Sequence, residues 1–494
     1  MAPVANVTHD LSIREASSAE STALGFMLAA NEDRLRGHKV GAARTLQPRI
    51  LSMGELTESE APVEIELIWF QENWQLGVGG LNHRLDPKKL GFALEIDSSL
   101  GDIRFATELV TLGTDTCPTS SYPTGFAQVG TEMWSFYERQ AFDLTYSTET
   151  WDSAETPDNV AKAYRNGIEF EGKTYVPGWT VTTATPLKYI FKADADCSWT
   201  VHPGANAPND FKYFAKGVNA AGAPVLWAGY QGSTNNVIRN ATDPSSDTTA
   251  TWSTAVAIGS TDSEITALVA DGNTLIVCKT NGLWAYFQDG NSRNLTPEFE
   301  AMNHPDNFRG AFNWNGHVLL PLGTAGMVEL NEGRLFDISF ELYAPDDSAN
   351  ALTTWTDLHS GKVVAIHGDP TTLYILIHKD DDLHLLMAKW VEFRGERDFR
   401  WHHVAKHTTT TSTGPEPEYV SMFAEGVPDP SEATRTHHRI WIAPAPKAAD
   451  GETLYYATSD IDHAFTFTNN STAEAVTTVF DGNFPRVDKA FQSF

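Results

Sequence analysis

The groups in this 494-residue chain able to hold metal or move protons are 16 histidines and 64 acidic side chains, and spacing decides whether they can act together. Two histidine pairs are adjacent, His402-His403 and His437-His438, with His407 nearby. Neighbours on a strand point to opposite faces, so neither pair can chelate one ion there. Solvated loop positions are the expectation for both pairs. Asp380-Asp381-Asp382 has the charge for a hard cation, yet three acids between two apolar runs read as a solvent-facing hairpin tip. Sialidase-type hydrolysis needs an arginine cluster for a carboxylate and a tyrosine nucleophile, and no Arg recurs at a fixed place in the candidate inner strands. No G-x-S-x-G elbow is present. Gly77-Val78-Gly79-Gly80-Leu81-Asn82 lacks the G-x-G-x-x-G spacing and reads as a turn. Cys117, Cys197 and Cys278 form neither a disulfide framework nor a C-x-x-C knuckle. The expectation is a protein that is not an enzyme, with no catalytic, cofactor-binding or metal-binding residue and no cofactor.

The elements that would position any site recur. Trp151, Trp199, Trp252, Phe299, Trp355, Trp401 and Phe467 follow one another at spacings of 48, 53, 47, 56, 46 and 66. Five residues before each stand Tyr146, Asp194, Asp247, Asn294, Asn350, Glu396 and Asp462; the residue just before each is Ser or Thr in five of the seven frames. Short strands at a fixed period of roughly 40–50 residues are the signature of a β-propeller, one period per four-stranded blade. The frame resembles a degenerate Asp-box, best preserved in Ser245-Ser246-Asp247-Thr248-Thr249-Ala250-Thr251-Trp252. In such a turn the Asp or Asn side chain accepts backbone N–H groups, and the ring opens the outer strand and packs between blades. That role is structural.

One unit shows the grammar. Glu264–Ala270 starts a blade, Asp271-Gly272 turns it, Thr274–Lys279 returns, Asn281-Gly282 turns it again and Leu283–Phe287 follows. Phe308–Leu330, Lys362–Ala388 and Glu418–Tyr456 repeat the pattern, the last with an insertion around Pro428–Thr436. Inner strands at Val160–Tyr164, Ile265–Val269 and Val363–Ile366 are apolar and small, which favours a scaffold over an enzyme with a charged channel. The fold class is therefore all-β, an irregular propeller. It is read as seven-bladed, with six or eight blades as the alternatives because the first frame is the least regular. The seam would join strands at 124–146 to the chain after Phe467, removing the open sheet edge. Four regions follow: a polar arm at 1–50, a β-rich extension at 51–123 with strands at Val63–Phe70, Leu90–Glu95 and Ile103–Leu112, the propeller at 124–482, and an exit segment at 483–494. Within the arm, Ser18–Arg36 reads either as an amphipathic helix, for which it has the apolar residues, or as a loosely ordered terminus, and the arm is expected to wrap a neighbouring subunit.

Composition excludes some partners. With 64 acidic against 35 basic residues the formal charge is −29, wrong for replacing the counterions of a nucleic acid. No apolar run approaches 18 residues and no signal peptide is read, so neither membrane insertion nor secretion is expected. Glycosylation sequons (Asn6, Asn240, Asn294, Asn469, Asn470) would matter only in a secretory pathway. A reducing cytoplasm is the expected place of synthesis.

The order of features resembles a family of tailed-bacteriophage virion proteins. Phe70-Gln71-Glu72-Asn73-Trp74-Gln75-Leu76-Gly77-Val78-Gly79-Gly80, then Arg84, is similar to the segment preceding the propeller in that family. Phe480-Asp481-Gly482-Asn483-Phe484-Pro485-Arg486-Val487-Asp488-Lys489-Ala490 resembles its exit segment, which there leads into a further β domain. The resemblance implies a structural virion protein of the tail, baseplate or fibre region. It would be a homo-oligomer contacting other virion proteins and a host-surface glycan or receptor through loops such as 404–418 and 425–438. The alternative is a carbohydrate-active propeller enzyme, a hydrolase or lyase with paired carboxylates in the channel. A cellular interaction propeller is a third reading, disfavoured by the lack of Trp-Asp or kelch signatures.

Overall fold

The computed structural model describes residues 11–13, 24–31, 34–39, 90–94, 96–97, 104–106 and 109–112, most of 123–338, then 343–345, 355–357, 361–379, 382–393, 396–408, 421–428, 436–444, 453–457 and 474–477. Among the described residues, six four-stranded antiparallel sheets are each wound from one continuous stretch. Blade 1 comprises Pro123–Val129, Glu132–Tyr137, Gln140–Thr145 and Thr150–Glu155. Blade 2 comprises Ile168–Phe170, Lys173–Val176, Ile190–Lys192 and Thr200–Val201. Blade 3 runs through Phe211–Val218, Pro224–Gln231, Thr234–Ala241 and Val256–Ala257. Blade 4 runs through Ile265–Asp271, Thr274–Lys279, Gly282–Tyr286 and Ser292–Asn294. Blade 5 is Phe312–Trp314, His317–Pro321, Met327–Asn331 and Arg334–Asp337. Blade 6 is Lys362–Gly368, Leu373–Lys379 and the long hairpin Asp382–Phe393 with Glu396–Thr408.

A further four-stranded sheet is composite. Ser421–Pro428, Thr436–Ala443 and Thr453–Ala457 take their outer strand from Leu109–Leu112, antiparallel with Leu112 opposite Thr453. This closing sheet's inner strand lies beside the inner strands of both blade 6 and blade 1, so the arrangement is a ring, a β-propeller. The seam is thus not where the sequence places it. Blade 1 fills all four of its places from 123–155, and the missing strand belongs to the closing sheet. Residues Glu474–Thr477, beyond Phe467, pair instead with Leu90–Leu94 and with Leu11–Ile13. They lie in a five-stranded sheet that also holds the hairpin Leu24–Asn31 and Arg34–Lys39. The stretch read as a helix within 18–36 is therefore largely strand. A helical spacing of apolar residues loses to a hairpin when a sheet is available to extend.

The core lies between sheets. Strand alternation turns one face of each blade onto its neighbour, and among the described residues clusters of buried apolar side chains fill the gaps. The outer-strand aromatics do what the repeat demands. Trp151 is fully buried against Trp441 and Phe126, and Trp199 packs edge-on to Trp134 and Phe136 of the preceding blade. Trp252 packs on Tyr189 and Phe211, and Trp401 donates to Ile338 O. Each such ring contributes about 1.5–3 kcal/mol by burial alone. Two landmarks differ. Phe299 sits in a 3-10 turn, Pro297–Met302, against Phe308, and Trp355 pairs with Pro345 in a separate two-stranded ribbon. Phe467 and most of the Asp-box at 245–252 lie outside the described residues; within a frame, Asn294 Oδ1 accepts the Thr296 N–H at 2.9 Å.

The predicted inner strands at Ile265–Val269 and Val363–Ile366 are inner strands. Val160–Tyr164 is not: Ala163–Tyr164 pairs with Gly178–Trp179, and Ile168–Phe170 takes the inner place in blade 2. Residues 404–408 and 425–428, read as loop, are strand.

Candidate functional site

An enzyme built on this ring would use charged groups where the inner strands begin. Four such groups meet there. Arg309 Nη2 lies 3.7 Å from Glu264 Oε1, Arg309 Nε lies 3.6 Å from Asp306 Oδ1, and Lys362 Nζ lies 2.5 Å from Asp306 Oδ2. They come from the connections into blades 4 and 5 and from the first residue of blade 6, so the network ties three blades together. Each carboxylate here faces a cation. At the other end Lys216 of blade 3 pairs with Glu169 of blade 2 at 2.9 Å, and this exposed pair holds the Glu169 carboxyl below the usual range.

Along the inner strands the blades are stitched by polar side chains. Gln128 of blade 1 donates to Gly426 O and accepts from Gly426 N of the closing sheet. Asn166 accepts from Phe126 N and donates to Met422 O. Asn313 donates to Ala270 O across blades 5 and 4. His367 lies between the Phe312 and Phe423 rings, tilted to each, and its Nδ1 accepts the Ala424 N–H at 3.1 Å. That bond requires an unprotonated Nδ1 and places the proton of the neutral ring on Nε2. Burial pulls the ring's pKa down to about 4.

Of the histidines singled out by adjacency, His402 and His403 are not solvated loop residues. His402 and His403 are buried in the outer strand of blade 6, where His384 Nδ1 and His403 Nε2 share a hydrogen bond of 3.0 Å. Burial lowers His384 to about 3 and His403 well below 6.5. His407 is half-buried on the same strand, and His437-His438 lie on Thr436–Ala443. A strand places His402 and His403 on opposite faces, but a bulge beside Leu385 and the two-sided burial of a blade cover both. Asp382 pairs with Lys406 at 2.9 Å; Asp380 and Asp381 lie outside the described residues, as do Cys117 and the glycine turn at 77–82. Cys278 is buried, which pushes its thiol up, and Cys197 is exposed. Among the described residues no cluster of three or more His, Cys, Asp or Glu could hold a metal ion, and no helix is long and apolar enough to cross a membrane.

Sequence reading missed a buried cation. Lys192 of blade 2 lies 3.8 Å from the centre of the Trp134 ring and 3.6 Å from both Glu132 and Glu155 of blade 1. The signal was alternation: Ile190 and Lys192 share one face of a strand, and that face is core.

One cavity of about 260 Å³ opens between blades 3 and 4, on the side where each blade's first hairpin turns. Trp227, Leu275 and Tyr286 line its apolar part, and Asn219, Asn240 and Asn273 its polar part. Trp227 and Tyr286 meet edge to face, with ring centres 5.4 Å apart.

No protein-family model and no curated protein matches the chain. Solved structures similar to it include the extracellular domain of BT4673 from B. thetaiotaomicron, at 11% identity and TM-score 0.45 over 72% of this chain and 40% of that one. The chain thus spans about two fifths of that structure's length. RRP9 WD40 repeats are similar at 7% identity and TM-score 0.44 over 74% of this chain and 100% of that one. YCF48 bound to D1 peptide is similar at 10% identity and TM-score 0.42, over 72% and 98%.

Proposed function

We propose that this propeller is a non-enzymatic binding scaffold, and that it serves as a structural component of a tailed-bacteriophage virion in the tail, baseplate or fibre region. The observation that carries the scaffold reading is the fate of the charges at the inner rim. Glu264, Asp306, Arg309 and Lys362 are ion-paired with one another across three blades, the use a rigid disc makes of charge. A ring stitched in this way presents turns and connections at fixed positions to protein partners. The virion reading rests on the segments Phe70–Gly80 and Phe480–Ala490, one before and one after the propeller repeats in the sequence. Copies would assemble with one another and with other particle proteins, and synthesis would be in the host cytoplasm.

The test is immunogold labelling of purified particles with an antibody to this chain, read by electron microscopy. Label at the tail or its tip is the expected result. Unlabelled particles, with the protein free in the lysate, would overturn the virion reading and put a carbohydrate-active propeller enzyme first.

A further inference from the structure

The cavity between blades 3 and 4 combines aromatic faces, amides and neutrality. Its apolar wall is Trp227 against Tyr286, with Phe287 at the lip, 38% exposed. The indole lies hard against the first strand of blade 3, because position 217 is glycine: a Cβ there would come within 2.9 Å of Trp227 Cδ1 and Nε1. Trp227 is therefore held in place before any ligand arrives.

The polar wall is also set. Asn219 Oδ1 accepts the N–H groups of Ala221 and Ala223 at 2.9 and 3.0 Å. Those two bonds fix the orientation of the amide and leave its NH₂ as the remaining donor. Asn273 stands exposed at the tip of blade 4's first hairpin, and Asn240 lies directly across the strand pair from Trp227.

None of the lining residues carries a charge, in a chain whose formal charge is −29. An anionic ligand would need a lysine, an arginine or a helix N-terminus. An ammonium ligand would need a carboxylate or a cage of converging ring faces, whereas Trp227 and Tyr286 meet edge to face. A wholly apolar ligand would strip water from amide groups without replacing its hydrogen bonds. A sugar ring meets both walls, since its C–H face packs on aromatic carbon while its hydroxyls both accept and donate. The volume falls just below the roughly 300–1,000 Å³ of ordinary ligand clefts, which suits one ring and excludes a longer chain.

We propose that this cavity is a binding site for one uncharged pyranose unit, such as the terminal residue of a surface glycan. The proposal rests on reading the propeller as a binding scaffold, and it names the ligand class and the place.

The test is saturation-transfer-difference NMR on the full chain with the methyl glycosides of glucose, galactose, N-acetylglucosamine and N-acetylgalactosamine. Phe287→Ala and Asn273→Ala remove one exposed group from each wall, and Ala221→Arg obstructs the mouth from an exposed turn. Transfer to the ring protons of at least one glycoside is expected. Affinity should fall about tenfold in Phe287→Ala, equivalent to roughly 1.4 kcal/mol, and transfer should vanish in Ala221→Arg. Circular-dichroism melts identical to the parent's would show that each variant is folded. No transfer from any of the four glycosides would overturn the proposal. So would transfer that survives both Phe287→Ala and Ala221→Arg, or preferential transfer to a proline-rich peptide. Failure here with gold label on the tail would remove the pocket and keep the virion reading; sugar binding without label would do the reverse.

Discussion

Blade 4 and the contact between the closing sheet and blade 1 solve the same packing problem by different means. Blade 4 is wound from one stretch, and its gaps to blades 3 and 5 are filled mainly with aliphatic side chains such as Ile276, Leu283, Val318 and Leu320. The closing contact is aromatic, with Trp151, Trp441, Phe126, Tyr137 and Phe142 in one cluster. Its polar stitches join residues far apart in sequence: Asn166 reaches Met422 across 256 positions and Gln128 reaches Gly426 across 298. Local turn chemistry specifies a regular blade. Closing the ring brings together groups hundreds of residues apart, at a loop-closure entropy that large rings and fixed hydrogen bonds must offset.

The largest effect expected is at Gly125, in blade 1's inner strand. A Cβ there would sit 2.4 Å from the Arg165 carbonyl carbon and 2.6 Å from its oxygen, and backbone cannot swing aside as a side-chain tip does. Gly125→Ala should cost more than about 3 kcal/mol or prevent folding, measured by denaturant unfolding or soluble yield. Trp151→Ala should cost about 3–5 kcal/mol. Its hydrogen exchange sharpens the comparison: amides in 109–112, 436–443 and 453–457 should lose protection while those in 274–286 keep it. Equal loss in both would show that the ring opens as one unit and that closure is not its weak place.

Acid separates the regions next. His367, which bonds blade 6 to the closing sheet, has a pKa of about 4, and His384 in blade 6 about 3, both lowered chiefly by burial from an ordinary 6.5. Between pH 6.5 and about 4 the unfolded chain binds protons there that the native chain does not. Stability is therefore full above 6.5 and falls as pH drops, by up to about 1.4 kcal/mol per unit for each histidine. In blade 4 the sign of the alkaline limb is the informative one. Lys279 donates to Ile258 O and Ser260 O, and burial lowers it from 10.5 to about 8. Its contribution should rise with pH between those values, because there the unfolded state holds the extra proton. Guanidinium melts across pH test both limbs; a flat acid limb, or an alkaline rise unchanged in Lys279→Gln, would contradict the assignment.

The same division explains what was legible in the sequence. Thr274–Lys279 and the Asp271-Gly272 turn could be read because alternation and positive-φ residues are local signals; Gly272 does adopt a φ of 53°. The outer-strand tryptophans were readable by period. Leu109–Leu112 was readable as strand within Ile103–Leu112, but its place in the closing sheet was not, since four residues carry no mark of a partner more than 340 positions away. Lys192, His384 and His403 look like surface residues by type, and only the neighbouring blade makes their faces core. The cavity between blades 3 and 4 was invisible for the same reason: Trp227 and Asn240 face each other on one blade, while Asn273 and Tyr286 come from the next.

The smallest effect is expected at Gly272, in blade 4's first hairpin, and it tests the local half of the comparison. Its φ is +53°, and a Cβ there would meet nothing within 4 Å. Packing therefore has no part in any change, and only backbone strain remains. Gly272→Ala should cost about 1–2 kcal/mol, the penalty of the left-handed region for an L residue. Gly272→Asn should cost less, because Asn adopts that region more readily. At Gly125 the order must reverse, since there the obstacle is volume and Asn is larger than Ala. Thermal melts of the four variants decide the matter. If Asn is no better than Ala at Gly272, or if Gly272→Ala is as damaging as Gly125→Ala, turn conformation is not what specifies blade 4. The two regions would then be held by the same kind of long-range packing.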